Sequence, residues 1–179
     1  MDIMVDASVW MRVFEDEGEA CLIAAEALSQ LIERGHRLYV SDWIVTELYR
    51  NCTLPVTSHG LGMTPAEADE LREAVEIFCT SVDDPPGFAT RWTRVAAHMN
   101  LGGHRAGDVC IAESMKVHGI STILTFNEKH FKVFDHVKVL EPEKLLATMQ
   151  IKDFERTKQR ELEREPERKP HEHVRERDR

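Results

Sequence analysis

Short unbroken apolar runs alternate along the chain with stretches whose apolar residues recur every three or four positions, a pattern that predicts strands interleaved with helices. Ile3-Met-Val5 is the first such run, and it stops at an acid, Asp6. A run without polar alternation fits a strand buried on both faces, as in a parallel sheet covered by helices. Arg37–Val40, Ile77–Val82, Thr122–Thr125 and Val137–Leu140 are the further strand candidates. Between them the helical period recurs in Ser8–Phe14, in Glu19–Arg34, in Phe88–Leu101 and in Val109–His118. After Ser41, a candidate N-cap, Trp43, Ile44 and Leu48 mark the apolar stripe of another helix. Thr64-Pro-Ala-Glu67 opens the next one with a threonine N-cap, a proline at the first helical position and a glutamate that closes a capping box. That helix is expected to end near Glu76, and a closing helix begins over Glu141–Leu146.

Strands alternating with helices imply a parallel sheet with right-handed crossovers, hence an α/β fold of the three-layer α/β/α sandwich type over residues 1–150. Two loops interrupt the pattern. Asn51–Met63 has little periodicity and is expected to be a long loop that covers a site, and Gly102–Gly107 is expected to deliver the chain to Asp108. From Lys152 to Arg179 the composition turns to Glu, Arg and Lys, so residues 151–179 are expected to form a charged C-terminal tail, disordered or a frayed helix.

Composition narrows the function classes. With 179 residues and 42% apolar content the chain can bury one domain's core. Cys21, Cys52, Cys79 and Cys110 lie far apart and form no zinc-type spacing, so reduced thiols are expected. No long uncharged apolar stretch occurs, which makes membrane insertion unexpected and the cytoplasm the expected compartment. A formal charge of -9 speaks against a broad basic surface for nucleic acid. It leaves room for a small acidic metal site, where a divalent cation inverts the local field.

Three acids stand at positions that such a site would use. Asp6 ends the first strand, at the sheet edge where ligand crevices form in open α/β folds, although capping of the next helix is an alternative role. Glu47 interrupts the apolar stripe of Trp43, Ile44 and Leu48. Asp108 lies on the face of Ile111, Ala112 and Met115, and is expected in the first turn of its helix, where the helix dipole would stabilise it. Asn127 follows the fourth strand, beyond Thr125. Buried carboxylates that converge repel one another unless a cation lies between them, and hard oxygen ligands suit magnesium or manganese rather than zinc.

At these positions the sequence resembles a known family. Val5-Asp6-Ala-Ser8, Thr46-Glu47-Leu48, Gly107-Asp108-Val-Cys-Ile-Ala112 and Leu124-Thr125-Phe-Asn127-Glu-Lys-His-Phe131 are similar to the four successive motifs of PIN-domain ribonucleases, the group that includes VapC-type toxins. The resemblance implies a sheet of order 3-2-1-4-5 and cleavage of RNA with Mg2+ or Mn2+. It makes Asp6, Glu47 and Asp108 the catalytic, metal-holding acids, with Asn127 where the family often has aspartate, and gives Ser8 and Thr125 the task of orienting them. The neutral Asn127 weakens any second metal site.

Arg105 is the first candidate to hold RNA phosphates, with Lys129 and Lys132 behind it, and a salt bridge to a rim carboxylate is the other role open to Arg105. His104 and His130 flank the motifs and are expected to be solvated. Trp10, Phe14 and Leu22 either belong to the core or form an apolar groove for the helix of an antitoxin protein. A homodimer is also open to such a chain. Two other functions compete with a metal-dependent toxin: a housekeeping RNA-processing nuclease without an antitoxin, and a non-catalytic PIN-like module that binds protein or RNA.

Overall fold

Strand β1 (Asp2–Val5) lies in the middle of the sheet, and Ile3, Met4 and Val5 are fully buried, as an unbroken apolar run requires. The computed structural model describes residues 1–15 and 17–164. Met1–Leu146 forms one unit, and a second begins at Ala147. In the first unit, β2 (Arg37–Ser41), β3 (Thr80–Val82), β4 (Thr122–Leu124) and β5 (Lys138–Leu140) join β1 in a parallel sheet of order β3-β2-β1-β4-β5. Ile3 stands opposite Leu38 on one side and Thr122 on the other. This is the α/β architecture and strand order expected from the sequence.

Helices α1 (Ala7–Phe14), α2 (Glu19–Glu33), α3 (Asp42–Thr53), α4 (Pro65–Phe78), α5 (Phe88–His98), α6 (His104–Val117) and α7 (Glu128–Phe131) connect the strands. Helix α6 is buried almost all round, with Val109, Ile111, Ala112 and Met115 at or near zero exposure. Ile3, Met4, Leu31, Ile44, Ile123 and Phe131 complete the centre of the core. Each such side chain contributes about 1.5–3 kcal/mol of hydrophobic stabilisation. The four cysteine thiols are free.

Several expected boundaries move. Helix α4 runs on through Ile77 and Phe78, both exposed, so β3 is shorter than its apolar run suggested. No breaker precedes Cys79, and its amide still bonds back to the Val75 carbonyl. Helix α6 starts at His104, where Gly103 takes a left-sided φ of 58°, so most of the expected loop is helical. Asp108 therefore sits in the second turn, beyond the amides left unpaired at a helix start, and the dipole is not its main stabiliser.

The segment 51–63 is not a loose cover. Helix α3 continues to Thr53, a short 3-10 turn spans Val56–Ser58, and the amides of Leu61, Gly62 and Met63 bond back to the carbonyls of Asn51, Leu54 and Cys52. A Cβ on Gly60 would lie 2.2 Å from the Leu54 carbonyl oxygen, so only glycine allows the return. Trp43 also departs from expectation: Ile44 and Leu48 are buried, while the indole beside them is 36% exposed. Trp10 joins the core, Phe14 stacks on it with ring centroids 6.1 Å apart, and Leu22 points outward at 72% exposure.

Helix α8 occupies Pro142–Arg164, so the first part of the charged segment, 152–164, is helical. Residues 165–179 of the expected tail lie outside the described residues. Among the described residues, no helix is long and apolar enough to cross a membrane.

Candidate active site

The chain leaves β1 at Asp6, whose amide bonds to the Leu124 carbonyl at 3.0 Å, so the acid stays within the sheet's hydrogen-bond ladder before α1 begins. Asp6 occupies the N-cap position, yet its side chain makes no capping bond. Its Oδ2 instead accepts from Ser8 Oγ and from Thr125 Oγ1, both at 2.6 Å. Capping is thereby excluded as the role of this carboxylate. Thr125 Oγ1 in turn accepts from the Asn127 amide at 2.9 Å, and Ser8 Oγ accepts from the Phe126 amide at 3.2 Å. The two hydroxyls tie the end of β1 to the end of β4 and hydrogen-bond Asp6 between them. At 4% exposure, burial raises the Asp6 pKa, the Ser8 and Thr125 bonds lower it, and the charge of Asp108 raises it again.

Glu47 comes from α3, whose start is capped by Ser41 accepting from the Ile44 amide. Its carboxyl is pushed up to about 7, first by burial, then by Asp6, with Arg50 opposing and Asp108 adding to the rise. The fields of the other two acids thus reach Glu47 in a poorly solvated place. Asp108 comes from α6 and has a partner of its own. Arg105 Nε donates to its Oδ2 at 2.6 Å, His130 Nδ1 lies 3.3 Å from the same oxygen, and Arg105 Nη2 donates to the His130 carbonyl at 3.0 Å.

Asp6, Ser8, Glu47, Asp108 and Asn127, from four different parts of the chain, line one cavity of about 150 Å³. Asn51, His104 and His130 line it too, which sequence reasoning missed. Asn51, expected in a loop, belongs to the last turn of α3; the histidines line the cavity and stay accessible to solvent, His104 exposed and the His130 side chain at 42%. The expected phosphate partners fare differently. Arg105 takes its alternative role as the salt-bridge partner of Asp108, so the structure does not leave it open to RNA. Lys132 pairs with Glu128 at 2.8 Å, and Lys129 is exposed on α7 without lining the cavity.

A hard dication suits the chemistry of this donor set, three carboxylates and a carboxamide oxygen, and would relieve the repulsion that lifts Glu47. The acids share a cavity without forming a closed cage: among the described residues, no three His, Cys, Asp or Glu side chains stand together as a ready-made ligand group.

A family model described as PIN domain matches residues 3–137. The chain belongs to the PIN-domain family. Solved structures agree on the fold. VapBC2 from Rickettsia felis, bound to a DNA fragment from its promoter, aligns with a TM-score of 0.59 at 12% identity over 79% of this chain and 98% of that one. VapBC-1 from nontypeable Haemophilus influenzae gives 0.57 at 12% identity over 80% and 99%. VapC20 of Mycobacterium tuberculosis, a sarcin-ricin loop cleaving toxin, gives 0.56 at 11% identity over 74% and 95%. No curated protein matches by sequence. In this PIN domain residues from all four motifs line one cavity, with Asn127 as the departure at the rim.

Proposed function

We propose that this PIN domain is a magnesium- or manganese-dependent ribonuclease that hydrolyses RNA phosphodiester bonds, acting as the toxin of a toxin-antitoxin pair in the cytoplasm. The observation that carries the reading is the shared cavity of Asp6, Glu47, Asp108 and Asn127, with Glu47 lifted to about 7 by burial and its acidic neighbours. Asp6, Asp108 and Glu47 would hold the ion. A bound dication of this kind lowers the pKa of a water and neutralises the charge that grows on phosphorus. The protein's own part is to orient and to move protons. Ser8 and Thr125 hold the Asp6 carboxylate in one pose, and Glu47 either orients the ion or, where it does not ligate it, accepts a proton. Asn127 offers a neutral oxygen at the rim.

The partner follows from a second surface. An apolar cavity of about 340 Å³, lined by Trp10, Val13, Ala25, Leu28, Ile32 and Phe78, would receive an apolar segment of an antitoxin. The VapBC names of the structural neighbours support an antitoxin as the class of partner. The opposing reading, a PIN-like module without catalysis, has the Arg105–Asp108 pair on its side, since that pair occupies an acid that the metal needs.

One experiment separates them. The full chain is titrated with manganese and with magnesium while cleavage of single-stranded and structured RNA is followed. Saturable, metal-dependent cleavage supports the enzyme; RNA left intact at every metal concentration leaves only the module. A small protein that co-purifies and inhibits completes the toxin assignment, and an active enzyme that is harmless when expressed alone removes it.

A further inference from the structure

Beside the acidic cavity lies a larger one, of about 370 Å³, and the two share Glu47 and His104. One wall is a stripe of α3, where Trp43, Glu47 and Arg50 follow one another at intervals of four and three residues and so face the same way, and the opposite wall is the start of α6 at Gly103, His104 and Gly107. One turn before the acid stands an aromatic ring, and one turn after it a cation. The indole of Trp43 is held from two sides. Trp92 meets it edge to face, with centroids 5.7 Å apart and planes at 60°, and Gly107 of α6 lies so close that a Cβ there would come within 2.6 Å of the indole nitrogen. A large aromatic that is fixed by its neighbours and still 36% exposed, inside a cavity of small-ligand size, is a preformed binding surface.

We propose that this second cavity is a stacking subsite for one unpaired nucleobase of the RNA, with the Trp43 indole as the platform and Arg50 holding a neighbouring phosphate. The inference rests on the ribonuclease reading and adds to it a base-binding position built from this chain's own Trp43 and Arg50. Continuity with the acidic cavity places the stacked nucleotide next to the bond to be cut. A base has an apolar face for the indole, and its phosphate supplies the negative charge that Arg50 complements. A double helix, with its bases paired and stacked, cannot present a base in this way.

The test is binding of a labelled single-stranded RNA dodecamer to the full chain in chelator, where cleavage is suppressed, compared with Trp43→Ala and Trp43→Phe. The expected result is a loss of affinity of roughly 5- to 150-fold in W43A, the range for removal of one base-aromatic stack, and near-parental binding in W43F. Abasic substitution, one position at a time, keeps the question open to refutation even if W43A folds poorly. One abasic position should weaken binding to the parent by the same factor and leave W43A unaffected.

Equal affinities of parent and W43A, with no sensitive abasic position, overturn the subsite. So does a W43A protein that keeps RNA but loses a protein partner, because the cavity would then serve that partner. The two readings fail separately: a parent that binds through Trp43 and never cuts with magnesium or manganese loses the nuclease and keeps the subsite. A parent that cuts with a KM indifferent to W43A keeps the nuclease and loses the subsite.

Discussion

Arg105 donates to Asp108 over 2.6 Å, from three residues earlier on the same helix, so an acid proposed to hold the metal already has a cation of the protein's own. The guanidinium also reaches the His130 carbonyl, which links α6 to α7. A dication and Arg105 must therefore compete for one carboxylate. The pair is partly exposed, and such ion pairs are worth about 0.2–1 kcal/mol. Replacing Arg105 by Gln should accordingly tighten manganese binding by roughly 1.4- to fivefold in calorimetry. Unchanged or weaker affinity would mean that Arg105 supports the ion site instead of contesting it.

Asp108→Asn keeps the shape of the side chain and removes its charge. Cleavage should fall by at least about a hundredfold, since even residues behind a metal's direct ligands cost 10- to 100-fold when lost. The fold should persist, because Asp108 lies at the cavity wall rather than in the packed face of α6. Manganese at a hundredfold excess over its dissociation constant adds about 2.7 kcal/mol to the parent through binding to the folded state alone. A thermal melt of D108N that rises with manganese as much as the parent's excludes Asp108 as a ligand.

What could be read from the sequence was what local chemistry decides. The Thr64 capping box forms as its spacing predicts, with the Thr64 amide donating to Glu67 Oε2 at 2.7 Å and the Glu67 amide to Thr64 Oγ1 at 3.3 Å. The buried run before Asp6 is likewise a central strand because nothing but core surrounds it. The start of α6 was hidden, since two glycines read as loop and only the left-sided turn at Gly103 shows where the helix begins. With that start unknown, Arg105 and Asp108 could not be placed on one helix at i and i+3. The outward face of Trp43 was hidden for a different reason. Trp43 and Ile44 are adjacent in an apolar stripe, and the neighbour that packs against the Trp43 indole, Gly107, comes from a helix far along the chain.

Glu47 makes stability depend on pH in a definite sense. Its pKa is about 7 in the fold against an ordinary 4.5, so the folded state binds the proton more tightly than the unfolded chain. The stabilisation from that proton is complete below the unfolded value and is lost as pH rises through about 7. Asp6, also raised by burial, acts in the same direction. In chelator the protein should thus melt at a higher temperature near pH 5 than near pH 7.5, by roughly 2–4 °C for each kcal/mol of relieved penalty. Glu47→Gln should flatten the trend. Manganese should reverse it, because a metal holds its carboxylates deprotonated. A parent and an E47Q protein with the same pH dependence would remove Glu47 as its source.

Thr125→Val tests whether the hydroxyl relay matters to the acid it serves. Thr125 is fully buried; its Oγ1 donates to Asp6, accepts the Asn127 amide and lies 3.3 Å from Ser8 Oγ, so valine keeps the volume and deletes all three hydrogen bonds at once. Leaving buried polar partners unsatisfied costs about 1–3 kcal/mol each, more where the partner is charged. The melting temperature should fall, and the Asp6 pKa, already raised by burial, should rise further because one of the bonds that lowers it is gone. Above neutral pH the variant should then lose more stability than the parent, since a more strongly disfavoured Asp6 carboxylate has to be carried in the fold. Thr125→Ser restores the hydroxyl without the methyl group and should recover most of the pH behaviour while keeping a small packing loss. If valine and serine shift the pH profile alike, the effect comes from packing, and the Thr125 hydroxyl does not set the state of Asp6.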